Sequence, residues 1–268
     1  TVRHRPVIDG GVGYSLQINQ PALLAELTGI TVVADFRSRD IAARGQGAPL
    51  VPAFHQALWG DPQRRVAVLN LGGIANLSLL DPDRPLLGFD CGPGNILLDA
   101  WHQKHRSGTY DDQGAWAASG TVHAGLLRTM MAEPFLNAPP PKSTGRDLFD
   151  LAWLKQQLQN HPRLSAVDVQ ATLLAFTAQS ATQALLRHMP HPQELVVCGG
   201  GAFNQALMKS LMQGVPCPVR SSGDKGLHPN QVEAAAFAWL ARCAILGLPG
   251  NSPSVTGARG PRVLGAIY

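Results

Sequence analysis

The sequence predicts an α/β fold in two parts, and three observations predict it. Short apolar runs of strand character alternate with amphipathic helical stretches along the chain. Three runs meet glycine-rich turns: VAVLNLGGIANLSLL at 66–80, LLGFDCGPGNILLD at 86–99 and LVVCGGGAFNQALMKSL at 195–211. The 268 residues are 45% hydrophobic and 15% charged, enough to bury a core and too apolar for a disordered tail.

Taken in order, YSLQI at 14–18 alternates as a strand does. Pro21 opens a helix that Gly29 stops. ITVVADF at 30–36 reads as a short buried strand reaching Asp35, followed by a polar loop through Gly45, Gly47 and Pro49. VPAFHQALW at 51–59 is a helix, and GDPQRR after it is a turn and a domain boundary. Two strands then flank Gly72-Gly73, and DPDRP turns into the strand LLGFD. The helix over 95–105 has Asn95 as a candidate cap. Helical pieces broken by loops fill 106–166, among them NAPPPKSTGRD at 137–147. A long amphipathic helix covers 168–188. ELVVCGGG is a strand into a glycine turn, with a helix from Asn204. HPNQVEAAAFAWLARCAILG at 228–247 is helical, with Asn230 able to cap it, and the tail ends in a short strand.

Composition removes several classes of function. The net charge of +4 suits an anionic ligand, but Lys and Arg are scattered and no basic block exists, so nucleic acid is not expected. No run of eighteen apolar residues and no signal-peptide pattern occurs, so neither a membrane span nor secretion is expected. Cys91, Cys198, Cys217 and Cys243 lack CxxC spacing and read as free buried thiols in a reducing cytoplasm, with no metal site.

The glycine turns carry the chemistry, because glycine exposes backbone N–H groups to phosphate with no side chain in the way. Gly72-Gly73 reads either as a phosphate turn or as an ordinary hairpin. Gly199-Gly200-Gly201 fits neither GxGxxG nor a Walker loop. It reads as a platform for base or ribose, or as a close strand–helix packing turn. Asp90, at a strand end before CGPGN, is the candidate general base, against an Asx-turn reading. Asp99 reads as a surface acid in preference to a partner of that base. Glu233 either complements a helix dipole or faces sugar or a hydrated metal. The KSTGRD loop faces an anion or enters a helix. DFRSRD at 35–40 clamps a carboxylate or forms an internal ion-pair network. His4 and His55 read as structural.

These segments resemble the anhydro-N-acetylmuramic acid kinase family. The carrying motifs are TVRH (1–4), ITVVADFRSRDIAARGQGAPLVPAFH (30–55), LNLGGIANLSLL (69–80), GFDCGPGNILLDAW (88–101), PKSTGRDLF (141–149), DVQATL (168–173), VCGGGAFN (197–204), EAAAFAWLA (233–241) and LPGNSPSVTGA (248–258). The resemblance implies a two-lobed actin–hexokinase–Hsp70 type of fold with its first lobe incomplete here. Residues 1–64 would be the rest of that lobe, on the substrate side, and 65–268 the second lobe. It implies that ATP, with Mg²⁺, and water convert 1,6-anhydro-N-acetylmuramic acid to N-acetylmuramic acid 6-phosphate in peptidoglycan recycling in the cytoplasm. Asp90 would be the base, and Thr1, Arg37 and Glu233 would meet the sugar. Gly72 and Gly73 would hold phosphate, and Gly199, Gly200, Gly201 and Asn204 the adenosine. A homodimer is implied as well.

Two departures accompany it. Cys91 stands where the family has Thr. The family's first phosphate motif, GxMSGTSxDG, does not occur, so a polypeptide starting at Thr1 is expected to be a weak or inactive sugar- or nucleotide-binding remnant, and a longer one a complete kinase. A glycoside hydrolase using Asp90 and Glu233 is the third reading, and the glycine turns argue against it.

Overall fold

The computed structural model describes residues 3–7, 11–145 and 148–268. Contacts divide the chain into two compact units: Thr1–Gly60 with Asp83–Gly88 and Glu233–Tyr268, and Asp61–Pro82 with Phe89–Val232. The α/β class expected from the sequence is the class observed.

In the first unit, β1 (Arg3–Arg5) pairs antiparallel with β2 (Tyr14–Leu16). Helix α1 (Pro21–Thr28) ends at Gly29, whose left-handed backbone lets its N–H reach Ala25 O. β3 (Val33–Ala34) pairs antiparallel with β9 (Ala266–Ile267). Helices α2 (Ser38–Ala42) and α3 (Val51–Trp59) follow. The C-terminal α11 (Val232–Ile245) and α12 (Pro253–Thr256) complete the set. Phe36, Leu50, Leu240 and Leu264 form a buried core with Phe237 and Trp239 against it.

This division differs from the 1–64 and 65–268 split read from the sequence. The reason is pairing across the chain ends. β9 hydrogen-bonds to β3, and buried Asp40 accepts from Asn251 Nδ2 at 2.7 Å and Thr256 Oγ1 at 2.8 Å, so the C-terminal segment is stitched to the N-terminal one.

The strand expected over 30–36 shrinks to two paired residues. Asp35 has φ 57°, which turns the chain, and its Oδ1 accepts from Ser38 Oγ at 2.6 Å and Gln17 Nε2 at 2.9 Å. The helix expected from 228 begins at Val232. Pro229–Gln231 form a 3₁₀ turn instead, so Asn230 does not cap it.

The second unit is organised around a five-stranded sheet in the order β6-β5-β4-β7-β8. β4 (Val66–Leu71) and β5 (Ile74–Leu80) form an antiparallel hairpin, with β6 (Leu87–Pro93) beside β5. β7 (Glu194–Cys198) is buried throughout and runs parallel to β4 and to β8 (Val219–Ser221). Its unbroken apolar run after Glu194 is what a strand covered on both faces requires. Helices α4 (Ile96–His105), α5 (Ala115–Ala118) and α6 (Ala124–Met131) precede α7 (Pro134–Asn137) and α8 (Leu151–Leu158). The long α9 (Ala166–His188) is capped by Ser165 and packs on β5, α4, α5, α6 and α10 (Gln205–Gly214).

Candidate active site

Sheet register brings the two glycine turns together. β4 and β7 are parallel, with Asn70 opposite Cys198, so the turns that follow leave neighbouring strands at the same end of the sheet. The carbonyls of Gly72 and Gly73 accept from Asn95 N at 2.8 Å and Gly94 N at 2.9 Å, which seats the start of α4 on the hairpin. Asn95 is not a side-chain cap. Its Nδ2 instead donates to Leu71 O at 2.9 Å and braces the hairpin.

What a side chain would meet separates these glycines by role. A Cβ on Gly72 would meet nothing nearer than Ile74 O at 3.6 Å, and one on Gly73 nothing nearer than Ile96 Cβ at 3.9 Å. Packing does not demand glycine there; the space stays open. Gly199 has φ 80°, and a Cβ would lie 2.5 Å from Asn70 Oδ1 and 2.8 Å from the Leu71 carbonyl. At Gly201 it would lie 2.5 Å from Leu71 Cβ. At Gly200 the nearest atom is Asn95 Nδ2, at 3.8 Å. So Gly199 and Gly201 let the turn lie against β4, while Gly200 faces open space. Asn204 caps α10, its Oδ1 accepting from Leu207 N at 2.9 Å.

Gly200 opens onto a cavity of roughly 320 Å³, lined also by Asn95, Asp99, Tyr110, Phe203 and Asn204. Asp99 is therefore no plain surface acid. Half-buried on α4, its carboxyl is pushed up to about 6 by burial. Neighbouring Asp111 is spent on structure, accepting from Trp116 N and Ala117 N, each at 2.9 Å.

Asp90 lies on β6 against the 137–145 loop. Its N–H donates to Lys142 O at 3.2 Å, and its Oδ2 accepts from Thr144 N at 2.8 Å. Lys142 Nζ donates to Phe135 O at 2.9 Å and Leu136 O at 3.0 Å, which anchors the loop. Burial raises the Asp90 carboxyl to about 6, against the pull of the Thr144 N–H and the Lys142 charge. The loop thus serves Asp90 through Lys142 and Thr144; Arg146 and Asp147 lie outside the described residues. The helix after it starts later, at Leu151, capped by Asp150. Cys91 is buried, its Sγ donating to Ala75 O at 3.4 Å. Successive residues of a strand face opposite ways, so the thiol at this position lies on the face opposite the Asp90 carboxylate.

In the first unit, Arg37 Nη1 donates to Gly47 O at 2.7 Å. Burial lowers its pKa, and the charge of Glu233 partly restores it, so the two residues share an electrostatic neighbourhood. Glu233 is exposed in the first turn of α11. Thr1 and the side chain of His4 lie outside the described residues. The acids of DFRSRD take neutral donors: Asp40 accepts from Gly47 N at 2.9 Å as well as from Asn251 and Thr256. His55 is buried, and burial pushes it down to about 3, which keeps it neutral.

Sequence reading takes Asn95 as a helix cap, Asp99 as a surface acid in preference to a partner of the base, and Lys142 and Thr144 as part of an anion-facing or helix-entry loop, and so misses their places at the hairpin, the cavity and Asp90. The signal for the first two was their i, i+4 spacing just after a glycine turn, which puts both on one helix face.

A family model described as anhydro-N-acetylmuramic acid kinase matches residues 1–268. The chain is 57% identical, over its full length and 73% of the relative's, to the anhydro-N-acetylmuramic acid kinase of Pseudomonas syringae pv. tomato. It is 57% identical, over its full length and 70% of the relative's, to the enzyme of that name from Bordetella petrii. Among solved structures, the activator of 2-hydroxyisocaproyl-CoA dehydratase from Clostridium difficile with bound ADPNP is similar over 68% of this chain and 60% of that one, at 13% identity and TM-score 0.44.

Proposed function

The chain belongs to the anhydro-N-acetylmuramic acid kinase family, and on that premise we propose that it opens 1,6-anhydro-N-acetylmuramic acid with water while ATP phosphorylates O6. The product is N-acetylmuramic acid 6-phosphate, and the setting is peptidoglycan recycling in the cytoplasm. The observation that carries this reading is Asp90: a half-buried carboxyl with one N–H donor and a pKa of about 6, matched to taking a proton near neutral pH.

Asp90 takes a proton from water as the water oxygen bonds to the anomeric carbon. The C1–O6 bond breaks, O6 bonds to the γ-phosphorus, and the β–γ bridging oxygen leaves with ADP. Arg37 and Glu233 hold the sugar in this reading, Arg37 as the partner for its lactyl carboxylate. The open backbone at Gly72-Gly73 meets the phosphates, and the cavity at Gly200 takes the adenosine. Phosphoryl transfer needs positioning and charge neutralisation more than protein nucleophiles. Among the described residues no three of His, Cys, Asp and Glu are grouped as a metal cage. Mg²⁺ bound with the nucleotide would supply charge neutralisation at its phosphates.

The test is product analysis in ¹⁸O-water with and without ATP. Phosphate on O6, label at C1 and a strict need for ATP are expected. Ring opening without ATP would indicate a hydrolase instead.

A further inference from the structure

We propose that Asp99 is the residue that selects a ribonucleotide, accepting hydrogen bonds from the ribose hydroxyls; this rests on the cavity at Gly200 being the nucleoside site. Three observations converge on it.

The first is position along α4. Asn95 sits at the hairpin, bonded through its backbone N–H to Gly72 O and through its side chain to Leu71 O. Asp99 follows one helical turn later on the same face, about 6 Å further from the hairpin. A nucleotide whose phosphates lie at Gly72-Gly73 has its sugar at that remove.

The second is charge. The cavity is lined by three acids, Asp99, Asp111 and Asp112, and by no Lys or Arg. Such a wall repels phosphate and favours neutral donors, of which a ribose offers two vicinal hydroxyls. Asp111 is already occupied by two backbone N–H groups, and Asp112 is exposed. Asp99 is the half-buried acid that remains.

The third is hydrogen bonding. The Asp99 carboxylate accepts no hydrogen bond among the described residues, although its own N–H is used in the helix, to Asn95 O at 2.8 Å. Its pKa is raised by burial alone, with no neighbouring charge or donor opposing the rise. A desolvated acceptor of this kind gains from a bound hydroxyl what it has lost from water. Phe203 and Tyr110, both exposed on the same wall, suit the base beyond the ribose.

The experiment is calorimetric titration of the unsubstituted protein, Asp99→Ala and Asp99→Asn with ADP and with 2′,3′-dideoxy-ADP. Hydrogen bonds to a charged acceptor correspond to about tenfold or more in affinity. The unsubstituted protein is expected to prefer ADP by at least about tenfold. Both variants should bind ADP more weakly by a similar factor, and bind the dideoxy ligand as the unsubstituted protein does. A merely structural role would weaken both ligands equally and overturn the proposal. So would equal binding of the two ligands by the unsubstituted protein, a result that needs no variant to fold. Absence of any ADP binding by the unsubstituted protein would instead overturn the nucleotide reading of the cavity itself.

Discussion

Two carboxylates, one in each unit, show how the surroundings of an acid separate architecture from chemistry. Asp40 is fully buried and accepts from a backbone N–H, an amide and a hydroxyl, at 2.7 to 2.9 Å. Asp90 is half-buried, and its carboxylate accepts one bond among the described residues, from Thr144 N. A saturated carboxylate has its lone pairs committed and ties chain segments together. An under-supplied one keeps a free lone pair and a raised pKa, which a general base needs.

The largest effects should come from exchanging each for its amide. Asp90→Asn should cut turnover about 10² to 10⁴-fold, the usual range for a lost general base, and leave urea stability unchanged or slightly raised. Asp40→Asn should cost about 2–4 kcal/mol in urea unfolding, because an NH₂ then faces donors, with turnover per folded molecule kept. Normal turnover in the first variant, or normal stability in the second, would break the contrast.

A second pair of substitutions sharpens the same distinction at the glycines. Gly199→Ala forces a Cβ at φ 80° against the Leu71 backbone, and should lose about 1–3 kcal/mol of stability. Gly72→Ala meets nothing closer than 3.6 Å and should stay within about 0.5 kcal/mol. Equal melting shifts would remove the division between packing glycines and open ones.

The smallest effect is the pH response of Asp90. As a base it must be deprotonated, so the rate should fall as pH drops below about 6 and level off above it. Stability moves the other way. The folded pKa of about 6 exceeds the ordinary 3.8, so the native carboxyl keeps its proton between these values while the unfolded one has lost it. Its contribution is fully present below about 4 and is lost as pH rises through about 6. The stability advantage of Asp90→Asn should therefore grow from pH 4 to 6 and then stay constant in urea unfolding. A flat difference across that window would show that Asp90 is not perturbed.

Much of this was legible in the sequence. The helix 51–59, the hairpin around Gly72-Gly73 and the helix that follows Asn204 were readable because propensity, period and turn chemistry agree there. Asp90 stood out because an acid closed an apolar run before a glycine-rich stretch, although the strand-end place expected for it is corrected: β6 continues past it to Pro93. The short reach of β3 was not readable, since its end is set by the left-handed backbone of Asp35 and its bonds to Gln17 and Ser38.

By itself, then, the sequence determined the α/β class, the family and where the glycine turns fall, because these depend on local pattern and residue type. Only the tertiary structure decided that residues 233–268 join the N-terminal unit, that Gly199 packs while Gly200 opens a cavity, and that Asp40 is saturated while Asp90 and Asp99 are not. Each of those depends on which distant backbone lies within hydrogen-bond or van der Waals reach, and no local pattern specifies that.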